Sequence, residues 1–249
     1  VRQATIDSDI DPIADGEGDA LAAGLARLEA GERLAEISAR FGSRVVATTS
    51  AGIQAPVMLH LIARHAPDIP VVFIDTGFHF PETYRYLETL TRTIGIAPRV
   101  YVPEISAARL EALHGRLWEG AEADIERYGL LTKVEPMDRA LKDYGAVAWI
   151  SGLRRAQSRE RAERDLVERQ GDTLKLYPIL DWSDERVEGY MLAHDLPRHP
   201  LLEKGYVTVG DWHSTRPLAD GMSLEETRFN GLRRECGLHL DSQVGEYQI

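Results

Sequence analysis

RVVATTSAGIQAPVMLHLIARH, residues 44–65, changes character twice within 22 residues. Its first part, RVVATT (44–49), is apolar and rich in β-branched residues, which reads as a strand. Its last part, PVMLHLIARH (56–65), reads as a helix opened by Pro56, a residue tolerated in the first helical turn. Between them, TTSAGIQAP (48–56) offers a hydroxyl at Ser50 and a glycine at Gly52 that lets a ligand approach the backbone. The helix start that follows presents free N–H groups and the positive end of the helix dipole. In outline this is a phosphate cradle, although a plain strand-to-helix turn fits the same pattern. The stretch is neither GxxxxGK[ST] nor GxGxxG, which disfavours a Walker-type nucleoside triphosphatase and a dinucleotide-binding enzyme.

The same alternation runs outward from this unit. Upstream, residues 20–41 carry apolar residues at helical spacing (Leu21, Leu25, Leu28, Leu34, Ile37) and predict one or two helices. Downstream, IPVVFIDTG (69–77) predicts a second strand, a helix begins near Pro81, and PRVYVPE (98–104) predicts a third strand. Helical segments are expected over 106–143, with a new turn at Pro136. AVAWISG (146–152) and LKLYPIL (174–180) predict a fourth and a fifth strand. SDERVEGYMLAHDL (183–196) opens on an N-cap serine and is expected to pair it with an acid in a capping box, which predicts a helix. Strands rich in Val and Ile separated by helices imply an α/β fold, a mostly parallel sheet covered by helices on both faces. Three segments are expected: an acidic leader over 1–19, an α/β nucleotide-binding domain over 20–202, and a C-terminal segment over 203–249. The last is rich in Gly, Thr and charge, lacks periodicity, and reads as an extended loop or mobile tail.

Composition narrows the function. The net charge of −11 disfavours nucleic acid and anionic membrane as partners, so an anionic ligand needs a local basic pocket. Apolar runs such as VVFI (71–74) are too short to span a bilayer, and residues 1–19, with six acids and one arginine, lack the apolar core of a signal peptide. The single cysteine, Cys236, excludes an internal disulfide, a Cys-only zinc site and a four-cysteine iron–sulfur cluster. With no HExxH and no His–acid pairs at metal spacing, no metal is expected. A cytoplasmic location fits this cysteine usage.

In an open α/β sheet, ligands bind beyond the carboxyl ends of the strands. Two further motifs fall at such ends. In IDTGFHFPET (74–83), Asp75 and Thr76 end a strand; the carboxylate can accept hydrogen bonds from a ribose or an amine, or can cap the next turn. In SGLRRAQSRERAER (151–164), Gly152 permits close approach, and Arg154 and Arg155 are candidates to grip phosphate or sulfate. The more distal Arg159 and Arg161 alternate with acids in the manner of a solvated face. Near the end, RRECGLH (233–239) sets Cys236 among Arg233, Arg234 and His239. Cations around a thiol favour the reactive thiolate, which Glu235 opposes.

Taken together, these residues resemble the thioredoxin-dependent phosphoadenylyl-sulfate (PAPS) reductase family of sulfate assimilation. The resemblance is carried in order by SAGIQA (50–55), FIDTGFHFPETYRY (73–86), KVEPMDRAL (133–141), GLRRAQSRERA (152–162), GDWHSTRP (210–217) and EETRFNGLRRECGLH (225–239). It implies an adenine-nucleotide α-hydrolase-like sheet with a modified PP-loop, and a homodimer. It also implies a mechanism in which the Cys236 thiolate attacks the sulfur of PAPS and a thioredoxin (or glutaredoxin) thiol then releases sulfite. In that scheme Cys236 and His239 are the catalytic residues. Ser50, Gly52, Gln54, Asp75, Thr76, Lys133, Gly152, Arg154, Arg155 and Arg234 hold the substrate, with no bound cofactor.

The residues support the scheme independently. One cysteine can form a covalent adduct but has no internal partner to resolve it, so an external dithiol is required. Pyrophosphatases of the wider superfamily carry SGGxDS, whereas Ala51, Gln54 and Ala55 stand here; the missing acid argues against metal-assisted attack on ATP. Iron–sulfur adenylyl-sulfate (APS) reductases need cysteines beside the KVEP stretch, which here reads LLTKVEP. A cluster-free APS reductase, a PP-loop ATP pyrophosphatase or nucleotidyl transferase, and a redox-responsive nucleotide sensor remain the competing readings.

Overall fold

The computed structural model describes residues 16–158 and 161–229. Six strands form one sheet: β1 (Val45–Thr49), β2 (Val71–Ile74), β3 (Arg99–Tyr101), β4 (Ala148–Ile150), β5 (Val167–Gln170) and β6 (Thr173–Leu176). Their spatial order is β3-β2-β1-β4-β6-β5. All neighbours are parallel except β5, which pairs antiparallel with β6. The register places Ala47 of β1 opposite Val71 on one side and Ile150 on the other. The expected strands are present. The sequence reading missed β5, whose VERQ disappears into a charged run. Gly171, with φ of 55°, closes the β5–β6 hairpin in a backbone region that costs glycine little.

Helices α1 (Glu17–Leu25), α2 (Ala30–Phe41), α3 (Ala55–His65), α4 (Pro81–Ile94), α5 (Ala107–His114), α6 (Glu122–Gly129), α7 (Glu135–Tyr144) and α8 (Asp184–Ala193) surround the sheet. Strand β1 shows why its pattern is continuous rather than alternating. Val45 and Ala47 pack into the main core with α2, α3 and α8 residues such as Leu34, Ile37, Val57, Ile62 and Val187. Val46, one residue out of phase, packs on the other face with Val72, Trp149 and the α7 residues Met137 and Ala140. A strand buried on both faces has no solvent side to make polar. Helix α8 is capped by Ser183, whose hydroxyl accepts from the Arg186 amide. The residue three beyond the cap is therefore an arginine, and only the serine half of a capping box is present.

Strand β1 is flanked by β2, which follows it in sequence, and by β4, which does not. The strand order therefore reverses beside β1, and such a switch point is where open α/β sheets bind ligands. Among the described residues the first helix starts at Glu17, inside the expected leader. The boundary expected at 202 is not where packing ends: Val209, Asp211, Ser214, Thr215, Thr227, Arg228 and Phe229 are all buried. Thr215 and Arg228 pair across an antiparallel bridge, so this segment doubles back on itself.

Candidate active site

The loop after β1 runs from the strand end to the start of α3, the strand-to-helix connection that the sequence suggests. Ala51 adopts a left-handed backbone, φ 48°, and its amide donates to Thr49 Oγ1 at 3.1 Å. A Cβ on Gly52 would lie 3.3 Å from Ser50 Oγ and 3.7 Å from the Val209 carbonyl oxygen. Glycine thus lets the returning C-terminal segment cross the loop closely. Ser50 is exposed, and α3 begins just beyond with Pro56 in its first turn and no acid there. The amide end of α3 is therefore free of a competing carboxylate from its own first turn.

The loop after β4 touches this one. A Cβ on Gly152 would sit 2.8 Å from Met58 Cγ of α3, so close packing, rather than a ligand, demands glycine there. Arg154 is 1% exposed. Its Nη2 donates to Gln54 Oε1 and to Asp184 Oδ1, both at 2.6 Å, and its Nη1 donates to the Trp182 carbonyl at 3.0 Å. It braces the SAGIQ loop, the GLRR loop and the start of α8 against one another. Gln54, where pyrophosphatases carry an acid, is the uncharged end of that brace and also accepts from Gln157 Nε2. Arg155 points outward, its Nε donating to the Arg164 carbonyl at 2.9 Å.

The loop after β2 supplies the third wall. Asp75 Oδ1 accepts from the Gly77 amide at 2.9 Å and from the Tyr84 hydroxyl at 2.7 Å, so this carboxylate does cap its own turn. Thr76 is buried, and its hydroxyl donates to Asp211 Oδ1 at 2.6 Å.

Asp211 is the centre of the arrangement. It has no exposed surface, lies across an antiparallel bridge from His79, and its other oxygen accepts from Lys133 Nζ at 2.7 Å and from the Tyr128 hydroxyl at 3.0 Å. Lys133 reaches it from a wide π-helical turn, Leu130–Val134, between α6 and α7. Such turns re-aim a side chain at the cost of one helical hydrogen bond. Burial alone would raise the Asp211 carboxyl; the charge of Lys133, helped by His79 and by the Lys133 and Thr76 hydrogen bonds, overrides it and holds the group well below the usual carboxylate range.

His213 completes the cluster. It stacks on Trp118 with ring centroids 4.0 Å apart and 13° between planes, and its Nε2 lies 3.1 Å from the Tyr128 oxygen. Tyr128 has one proton, which goes to Asp211, so Nε2–H of His213 must be the donor to Tyr128. That leaves Nδ1 a bare lone pair, and Nδ1 is buried without a partner among the described residues. Burial pushes His213 down to about 4, with Lys133 and Arg228 adding to the effect and Asp211 opposing it. Burial also pushes His199 down to about 4. Both are depressed relative to an unfolded histidine near 6.5. Their contribution to stability is complete above about pH 6.5 and is lost as pH falls toward about 4. Proton NMR is expected to find both rings neutral at pH 6, with midpoints near 4; a midpoint near 6.5 for His213 would contradict its buried, neutral placement.

Of the expected site residues, Ser50, Gly52, Gln54, Gly152 and Arg154 come together at the β1 and β4 ends, and Thr76 and Lys133 meet through Asp211. Asp75 and Arg155 each have partners of their own. Arg234, Cys236 and His239 lie outside the described residues, as does Arg159. Asp211 and Tyr128 were not singled out from sequence. The available signal was Lys133 itself, since a buried lysine requires a counter-ion. Among the described residues no three His, Asp or Glu side chains converge to hold a metal, and no helix is long and apolar enough to cross a membrane.

A mostly parallel sheet with an acid-free loop at its switch point, and with Lys133 and Asp211 paired beyond the strand ends, is an α/β fold of the PP-loop type. The phosphoadenosine phosphosulfate reductase domain matches residues 44–217, and the chain belongs to that family. A phosphoadenosine 5′-phosphosulfate reductase of Alkalilimnicola ehrlichii is 54% identical over 91% of this chain and 93% of its own length. The crystal structure of a PAPS reductase from Candida auris, a phosphate complex, superposes with a TM-score of 0.70 at 30% identity, covering 82% of this chain and 98% of that one. An FMN adenylyltransferase from Candida glabrata shares the fold at 15% identity, with a TM-score of 0.54 over 88% of this chain and 82% of its own.

Proposed function

We propose that this chain reduces 3′-phosphoadenylyl sulfate to sulfite and adenosine 3′,5′-bisphosphate, with thioredoxin as the electron donor. The Cys236 thiolate attacks the sulfur of the phosphosulfate; an S–S bond forms, the S–O bond to phosphorus breaks, and the bisphosphate leaves with the electron pair. A thioredoxin thiolate then attacks Cys236 Sγ and expels sulfite. The donor's second thiol opens the resulting mixed disulfide, which restores Cys236 and leaves thioredoxin oxidised. His239 and Arg234 favour the thiolate, and the amide end of α3 and Lys133 offset charge growing on the leaving phosphate. The enzyme works without a bound cofactor, as a cytoplasmic homodimer. The observation that carries this reading is 54% identity over 91% of the chain to a protein named phosphoadenosine 5′-phosphosulfate reductase; the single cysteine supports it, because a lone thiol in the proposed scheme needs an external dithiol.

The choice of nucleotide is the sharpest test. PAPS carries one phosphate more than APS, and in a chain of net charge −11 that dianion is unfavourable unless a cation meets it. One charge-assisted contact gives roughly ten- to a hundred-fold discrimination. With thioredoxin saturating, kcat/KM is expected to favour PAPS by that margin. Equal values, or a preference for APS, would reassign the substrate to the cluster-free APS reductases.

A further inference from the structure

Among the described residues, buried Lys175 lies over the Trp149 ring, 4.6 Å from its centroid, and the buried cations Arg33, Lys133 and Arg154 each have a carboxylate within 2.7 Å. Arg228 does not. It is 9% exposed, its Nε is buried with no hydrogen-bond partner, and the Phe229 ring lies beside it, with the guanidinium carbon 5.9 Å from the centroid. Arginine does not escape burial by losing its proton, so an unpaired buried guanidinium is a standing cost unless an anion joins it.

The backbone is built to hold this group in place. A Cβ on Gly210 would fall 2.4 Å from Nη1 and 2.6 Å from both Cζ and Nη2. The guanidinium therefore lies against the bare α-carbon of Gly210, and any larger residue would displace it. Gly210 stands between the two halves of the site: Val209 on one side crosses the SAGIQ loop at Gly52, and Asp211 on the other holds Lys133 and Thr76. Asp211 has its oxygens occupied, so it balances Lys133 and leaves the charge of Arg228 over. His213 is neutral. Arg228 thus adds a positive charge that Asp211 does not balance, in a molecule of net charge −11, and this favours holding an anion.

We propose that Arg228, seated by Gly210, is a specificity-determining contact for an oxyanion of the nucleotide substrate, either its ribose phosphate or its 5′-phosphosulfate. This rests on the reading that the ligand is a phosphorylated adenine nucleotide. The test is calorimetric titration of the full chain and of the variants Arg228→Met, Arg228→Lys and Gly210→Ala with adenosine 3′,5′-bisphosphate, adenosine 5′-monophosphate, adenosine and inorganic phosphate. Gly210→Ala keeps the charge but pushes the guanidinium away, so it carries the test should an Arg228 variant fail to fold.

Arg228→Met and Gly210→Ala are expected to weaken the bisphosphate by about tenfold or more, with Arg228→Lys intermediate and adenosine unchanged. A loss for the bisphosphate alone assigns Arg228 to the ribose phosphate, and an equal loss for the monophosphate assigns it to the 5′ group. Unchanged bisphosphate affinity in the folded variants, or an equal loss for adenosine, would overturn the assignment. Should the wild-type chain bind no adenine nucleotide, the proposed function fails separately. Arg228 would then stand as an oxyanion contact only if inorganic phosphate binds the wild type and is lost in Arg228→Met, and would fall otherwise.

Discussion

Replacing Cys236 by serine is expected to cut sulfite formation by at least ~10³-fold while adenosine 3′,5′-bisphosphate binds within about threefold of wild type. A serine hydroxyl is almost wholly protonated at neutral pH and is a far weaker nucleophile than a thiolate. It also offers no sulfur for a donor thiol to attack, so both halves of the reaction are lost. Nucleotide binding is kept because the walls described above come from the β1, β2 and β4 loops and from residues 209–215, none of which includes position 236. Measured sulfite production and a calorimetric affinity separate the two effects. A serine variant that still makes sulfite at a tenth of the wild-type rate, or that loses binding and turnover together, would contradict this division of labour.

Asp211→Ala is expected to be the most damaging change in the described part of the site, at about 3–5 kcal/mol of stability. It removes one partner of a buried ion pair and leaves Lys133 enclosed without its counter-ion. Thr76 and Tyr128 lose their acceptor at the same time. Asp211→Asn preserves the shape but not the charge and is expected to fall between alanine and wild type. The carboxyl is held below its unfolded value, so its contribution is present above the ordinary carboxylate pKa of about 4 and declines as pH falls below that. Urea denaturation at pH 7 and pH 3 checks both statements: the gap between wild type and Asp211→Asn should narrow at the lower pH. An alanine variant within about 1 kcal/mol of wild type at pH 7 would mean that Lys133 finds water or another partner.

The sheet was legible in the sequence because its central strands are buried on both faces, so Val45–Thr49 and Val71–Ile74 stand out as apolar runs between helical segments. Strand β5 was not, because only Val167 of VERQ is buried and a one-sided edge strand of charged residues resembles a loop. The SAGIQ and GLRR loops were also legible, as local motifs at strand ends. The role of Arg154 was not: next to Gly152 it reads as a fork for phosphate, and only the fold brings Gln54 and Asp184 to its Nη2. The Asp211 cluster is hidden for the same reason. Its partners Tyr128 and Thr76 lie 83 and 135 residues away in sequence, and no period or spacing links them. The segment holding Asp211 and Arg228 lacks periodicity because it forms no long helix or strand, yet Asp211, Ser214, Thr215, Thr227 and Arg228 within it are buried.

The central claim is that a sulfonate passes through Cys236. Mass spectrometry of the full chain, incubated with PAPS in the absence of any thiol donor, tests it directly. The account predicts one added sulfonate per chain, mapped by peptide fragmentation to Cys236 and removed with release of sulfite when thioredoxin is added. Sulfite formed in a complete assay from a chain that never carries the adduct, or an adduct on any other residue, would contradict it.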